Sequence, residues 1–302
     1  MAPANQYIDE SFEQDISAPP LFSEEHLKHL NEKLAKLSPQ KILEWAIITL
    51  PGLYQTTAFG LTGLVILDMI SKLSQDYAEE NETLPQHLIP LIFLDTLYHF
   101  PETLQLAKRA STNYSAPLHI FKPIGCETVE DFEAQHGQTL WEKDEDSYDY
   151  LVKVEPSRRS YKQLNVLAVI TGRRRSQSGE RGNIDILEIE KGTGLLKLNP
   201  LAHWDFAKVR AYVRANEVPY NSLLDKGYRS VGDWHSTKPL SSDSSNEREG
   251  RWEGKNKTEC GLHKDYFKMR AAFIAAKKKK LANAAAPLTL SSTDSDSSSS
   301  SN

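Results

Sequence analysis

Sulfur is scarce in this chain. Among 302 residues there are two cysteines, Cys126 and Cys260, and three methionines. Two thiols cannot build a disulfide framework, a four-cysteine zinc site or a common iron–sulfur cluster. A Cys126–Cys260 disulfide stays conceivable, but it is disfavoured in a cytosolic setting. Long apolar runs are also missing: no stretch reaches the roughly 20 residues of a membrane span. Residues 1–20 lack the basic segment and apolar segment of a secretory signal. Asp9, Glu10, Glu13 and Asp15 speak against a mitochondrial transit peptide, so a cytoplasmic, membrane-free protein is expected. A basic excess is absent too; the net charge of −5 disfavours non-specific nucleic-acid binding. The nine histidines show no metal-ligand spacing, and no internal repeat is found.

What is present is the composition of a soluble globular protein, with 39% hydrophobic and 25% charged residues. Ser23 and Ser38-Pro39 read as caps of two helices, the first carrying the stripe Leu27, Leu30, Leu34, Leu37. An alternation of strands and helices follows. Strands are expected at 53–59, 88–95, 117–122, 166–171, 184–189 and 195–198, and helices at 64–75, 101–114, 129–135, 203–216 and 265–280. This pattern predicts an α/β protein with a doubly wound, mostly parallel sheet flanked by helices. Residues 142–149 are acidic and are expected to form a solvated surface stretch. Residues 241–258 are polar and are expected to form a mobile loop. The expected divisions are an N-terminal arm and helix (1–37), an α/β domain (38–238), a mobile C-terminal segment (239–280) and a disordered serine-rich tail (281–302).

Several segments carry chemistry. The turn Thr56-Thr57-Ala58-Phe59-Gly60-Leu61-Thr62-Gly63 leaves a strand and opens a helix, so its N–H groups can meet a phosphate. An ordinary strand-to-helix turn has the same look. It is not a Walker loop, since no Gly-Lys-Ser/Thr follows. Asp95 and Thr96 end a buried strand at the carboxyl edge, where α/β sheets bind ligands; a turn residue is the plain alternative. The loop Gly172-Arg173-Arg174-Arg175-Ser176-Gln177-Ser178-Gly179-Glu180-Arg181 follows an apolar strand. Its guanidinium groups can hold oxyanions bidentately. The stretch 224–237 mixes glycine, aromatics and charge, and could line a site or simply cover the surface. Cys260, in Glu259-Cys260-Gly261-Leu262-His263, has polar neighbours that suit a reactive thiol. Lysines and a protonated His263 would lower its pKa and Glu259 would raise it. Cys126 reads as structural.

Taken together, these blocks resemble the thioredoxin-dependent phosphoadenylyl-sulfate reductases of the fungal assimilatory kind, within the adenine nucleotide alpha-hydrolase-like proteins. The resemblance spans residues 38–267. It is carried by 56–63, Leu94-Asp95-Thr96 with Phe100-Pro101-Glu102-Thr103, Lys153-Val154-Glu155-Pro156, 172–181, Gly227-Tyr228-Arg229-Ser230-Val231-Gly232-Asp233 and 259–263. It implies reduction of 3′-phosphoadenosine 5′-phosphosulfate (PAPS) to sulfite and adenosine 3′,5′-bisphosphate, in sulfate assimilation toward cysteine and methionine. Thioredoxin would supply the electrons, with glutaredoxin as an undecided substitute. A homodimer, no bound cofactor, no metal and no iron–sulfur cluster are also implied. The implied catalytic residues are Cys260 and His263. The implied substrate-binding residues are Thr56, Thr57, Phe59, Gly60, Thr62, Gly63, Asp95, Thr96, Gly172, Arg173, Arg174, Gln177, Ser178 and Arg181. Relatives that split ATP carry Ser-Gly-Gly-x-Asp-Ser at 57–62; here Leu61 replaces the acid, which opposes Mg²⁺-dependent pyrophosphatase chemistry. Adenosine 5′-phosphosulfate reductases carry further cysteines for a cluster, which this chain lacks. Two other readings remain at this point: an adenylyl-transferring or tRNA-modifying enzyme of the same fold, and a non-catalytic nucleotide-binding protein.

Overall fold

The computed structural model describes residues 21–177, 179–190, 193–240, 247–252, 262 and 266–285. Two capped helices lead in. The Ser23 hydroxyl accepts from the His26 N–H at 3.2 Å and starts α1 (Glu24–Leu34). Ser38 caps α2 (Pro39–Thr49), whose proline occupies the first turn, where a missing N–H costs nothing.

Among the described residues, six strands then form one sheet: β1 (Leu53–Thr56), β2 (Leu91–Leu94), β3 (Leu118–Phe121), β4 (Ala168–Ile170), β5 (Leu187–Ile189) and β6 (Leu196–Leu198), in the order β3-β2-β1-β4-β6-β5. Every neighbouring pair is parallel except the antiparallel β5–β6. Period-2 alternation divides the strands between two cores. Leu53, Leu91, Phe93, Ala168, Ile170 and Leu198 face the larger core, with α2, α3 (Leu61–Glu80), α4 (Pro101–Asn113) and α9 (Phe206–Ala215). Ile92 and Val169 face the opposite way, where Tyr161 and Leu164 pack from α8 (Glu155–Gln163) and the residue after it. The doubly wound, mostly parallel sheet is thus as expected. Helix α3 is mostly apolar in its first half, with Leu64 to Leu67, Met69 and Ile70 all buried. Each such side chain contributes about 1.5–3 kcal/mol relative to exposure.

A second core lies beside the sheet. Tyr98, Cys126, Phe132, Trp141, Tyr148 and Leu151 pack there with Tyr266 and Met269 of α10 (Tyr266–Ala285). Cys126 is structural: burial, then Asp131 and Glu127, pushes its thiol up to about 11.

Four expectations need correction. The acidic stretch 142–149 is not simply solvated. It forms the ends of α6 (Leu140–Lys143) and all of α7 (Glu145–Asp149), and Tyr148 and Asp149 are buried. Tyr148 belongs to the second core, and Asp149 pairs with Lys153 at 2.9 Å. The helical run 150–163 went unread because Pro156 interrupts its pattern. A π-helical turn at Tyr150–Val154 precedes α8, and Pro156 sits in α8's first turn, where no N–H is needed. Within 241–258, the described residues 247–252 fold onto the body, with Glu247 and Trp252 buried. Finally, α10 continues to Ala285, past the expected start of the tail. The arm 1–20 and residues 286–302 lie outside the described residues.

Candidate anion-binding active site

The strand order reverses between β1 and β4: β1 leads outward to β2 and β3, β4 to β6 and β5. In open α/β sheets the crevice beyond the carboxyl ends at such a point is where ligands bind. A cavity of about 280 Å³ opens there.

The loop after β1 forms one wall. The Thr57 hydroxyl accepts from the Phe59 N–H at 2.9 Å, which ends the strand at Thr56 and holds Phe59 at φ +55°. The buried Phe59 ring packs edge-on against Phe93. Gly60 is the N-cap of α3, and among the described residues no side chain caps that helix. Its first-turn N–H groups and positive dipole end therefore have no capping side chain, and Gly60 to Gly63 line the cavity. Gly63 is required: a Cβ would sit 2.7 Å from Thr57 Oγ1. Gly172 is favoured for a related reason, since a Cβ there would lie 3.2 Å from the Gly63 backbone nitrogen, a tight contact. The β1 and β4 loops thus meet backbone to backbone.

The β4 loop supplies the arginines. Arg173 donates to Glu188, which Asn199 Nδ2 also holds at 2.7 Å. Arg174 is 1% exposed and reaches across to α3, donating from Nε to Thr62 Oγ1 at 2.9 Å. Its Nη1 donates to Ser176 Oγ at 2.7 Å, and its Nη2 lies 2.6 Å from both carboxylate oxygens of Glu247. Arg181 donates to Gln177 Oε1 at 2.6 Å, and the Arg174 N–H donates to the same oxygen at 3.1 Å.

The opposite wall is organised by Asp233, which is 2% exposed. Its carboxylate accepts from Thr96 Oγ1 at 2.7 Å, from Lys153 Nζ at 2.9 Å and from the Tyr148 hydroxyl at 3.3 Å. Burial opposes its ionisation, but the charges of Lys153 and His99 and the bonds from Lys153 and Thr96 outweigh it. They hold the carboxyl far below the usual carboxylate range. Lys153 bridges Asp233 and Asp149. The rim is closed by Arg229, Arg248, Arg251 and Trp252, with the Arg251 guanidinium 4.6 Å from the Trp252 ring centre.

Of the residues expected at a site, Thr56, Thr57, Phe59, Gly60, Thr62, Gly63, Thr96, Gly172, Arg173, Arg174, Gln177 and Arg181 all line this cavity. Asp95 does not; its carboxylate accepts from the Leu97 N–H at 2.9 Å, the plain turn role. Ser178, Cys260 and His263 lie outside the described residues. Leu262, two positions after Cys260, lines the cavity. Sequence reasoning missed Lys153, Arg229, Asp233, Glu247, Arg248 and Arg251 as site residues. The first three sat in blocks that carried the resemblance; the others were hidden in a stretch read as polar loop. Among the described residues, seven arginines and lysines line the cavity against two acids, Asp233 and Glu247. With an uncapped helix end and an apolar section formed by Phe59, Ile92, Leu94 and Leu224, it fits a flat apolar group joined to several oxyanions.

The family profile of phosphoadenosine phosphosulfate reductase domains matches residues 52–239, well over half of the chain. This is a member of the phosphoadenosine phosphosulfate reductase family. The chain is 51% identical over 262 residues to the phosphoadenosine phosphosulfate reductase of Emericella nidulans, covering 86% of this chain and 82% of that protein. It is 52% identical over 248 residues to that of Saccharomyces cerevisiae, covering 80% and 91% respectively. The crystal structure of phosphoadenylyl-sulfate (PAPS) reductase from Candida auris, a phosphate complex, superposes with a TM-score of 0.64 at 53% identity, covering 72% of this chain and 98% of that one. The reductase-family match begins just before β1 and ends beyond Asp233, so it takes in both walls of the cavity described above.

Proposed function

We infer that this protein reduces PAPS to sulfite and adenosine 3′,5′-bisphosphate. The observation that carries the reading is the strongly basic cavity at the β1/β4 switch point, in a chain about half identical to fungal reductases of that name. PAPS is an adenine nucleotide bearing a 3′-phosphate and a 5′-phosphosulfate. Its base would take the apolar section beside Phe59 and Leu94, and its oxyanions the arginines and the α3 N-terminus.

The chemistry proceeds through Cys260. Its thiolate attacks the sulfonyl sulfur, a sulfur–sulfur bond forms, and the sulfur–oxygen bond to the 5′-phosphate breaks. The electron pair leaves on the nucleotide phosphate, where the arginines and the helix N-terminus offset the developing charge. A protonated His263 would favour the thiolate, and Glu259 would oppose it. A thioredoxin thiolate then attacks Cys260 Sγ. Sulfite departs with the bonding pair, and thioredoxin's second thiol resolves the mixed disulfide. Two electrons pass from the thioredoxin dithiol to sulfur, and one enzyme thiol suffices. The position of Leu262 on the cavity wall supports a role for the adjoining Cys260.

The test is intact-mass and peptide mass spectrometry after incubation with PAPS and no thioredoxin. One added SO₃ on the Cys260 peptide is expected, absent in Cys260→Ser, which should also release no sulfite. Normal sulfite release by Cys260→Ser would end this reading.

A further inference from the structure

Arg174 poses a physical problem that Glu247 solves. Its guanidinium is almost completely withdrawn from water, and two of its nitrogens are engaged by the Thr62 and Ser176 hydroxyls. A buried guanidinium left without an anion is strongly disfavoured. The anion is Glu247, whose two carboxylate oxygens both lie 2.6 Å from Nη2. Glu247 comes from the 247–252 segment, far along the chain, and is itself buried. The same guanidinium grips Thr62 in the first turn of α3, the helix whose N-terminus no side chain caps. A carboxylate thus occupies the basic floor of a cavity built for oxyanions.

We propose that Glu247 is a resident counter-anion: in the ligand-free protein its carboxylate holds the place on Arg174 that an oxyanion of the nucleotide takes on binding, so its displacement sets the affinity. This rests on the reading of the cavity as a nucleotide site. The exchange replaces one anion by another, so Arg174 stays neutralised throughout. Glu247 moves to water and regains its hydration. Binding is weakened by the free energy of the lost Glu247–Arg174 pair.

Isothermal titration calorimetry with adenosine 3′,5′-bisphosphate tests this on the full chain, on Glu247→Gln and on Glu247→Asp. Removing the charge should tighten binding about tenfold, equivalent to ~1.4 kcal/mol. The shorter Glu247→Asp carboxylate should give an intermediate gain, and it keeps the test decisive if Glu247→Gln fails to fold. Unchanged affinity in both variants would show that Glu247 is not displaced. Weaker binding would show that it orients Arg174 for the ligand instead; either result overturns the proposal. Failure of the unaltered protein to bind the nucleotide would overturn the reading of the cavity itself, and this inference with it.

Discussion

Asp233 is a buried carboxylate that stays charged because its surroundings were assembled around the charge. Thr96, from the end of β2, and Tyr148 and Lys153, from the helical run 145–154, converge on it. Its folded pKa lies far below the unfolded value of about 3.9. A depressed carboxylate pKa stabilises the fold at every pH above the unfolded value, and that contribution fades as pH falls toward the folded one. Asp233→Asn should therefore lower unfolding free energy by about 3 kcal/mol at pH 7 and at pH 5. Below about pH 4 the difference from the parent should shrink. Denaturant unfolding across this pH series would check both magnitude and sign; a difference that grew with acid would refute the assignment.

At the scale of elements, α10 is held by a few specific contacts. Tyr150 and Phe273 stack with ring centres 4.5 Å apart. Arg158 on α8 pairs with Glu190 at 2.5 Å and lies 4.8 Å from the Tyr266 ring centre. Replacing Arg158 leaves Glu190 with Lys197 as partner, so Arg158→Leu should be tolerated by the fold while loosening the start of α10. We expect sulfite turnover to fall about tenfold with the affinity for adenosine 3′,5′-bisphosphate nearly unchanged. Steady-state kinetics beside calorimetry would separate the two, and equal losses in both would point to general damage. The elements themselves were largely legible. Ser23, Ser38 and Pro39 announced their helices, and the apolar runs 88–95 and 166–171 contain β2 and β4. The β1 and β4 loops, whose glycines and arginines follow strands directly, were legible as candidate site loops, and both line the cavity. Asp95 misled because a turn carboxylate and a ligand carboxylate look alike in sequence. Tyr148 and Asp149 misled because Asp233, which binds Tyr148 and shares Lys153 with Asp149, is brought to them only in three dimensions. Glu247 was invisible for the same reason: its meaning comes from Arg174, which lies 73 positions away in the chain.

At the scale of the whole molecule, a chain of net charge −5 concentrates basic groups in one crevice. The surrounding low-dielectric walls focus that field on an incoming polyanion. Raising NaCl from 50 to 500 mM should weaken nucleotide binding by roughly an order of magnitude, since the Debye length shrinks below the width of the site. Calorimetry across that range would check it, and a flat response would show that the cations are already spent on protein carboxylates.

The burial of Cys126 has a practical corollary. With its thiol raised to about 11 and its side chain 2% exposed, it is inert to alkylating reagents at neutral pH while the fold holds. One equivalent of maleimide taken up by the native protein would therefore tag Cys260 without any engineering. A second equivalent, arriving only as denaturant is added, would turn the same titration into a clock for the opening of the aromatic core.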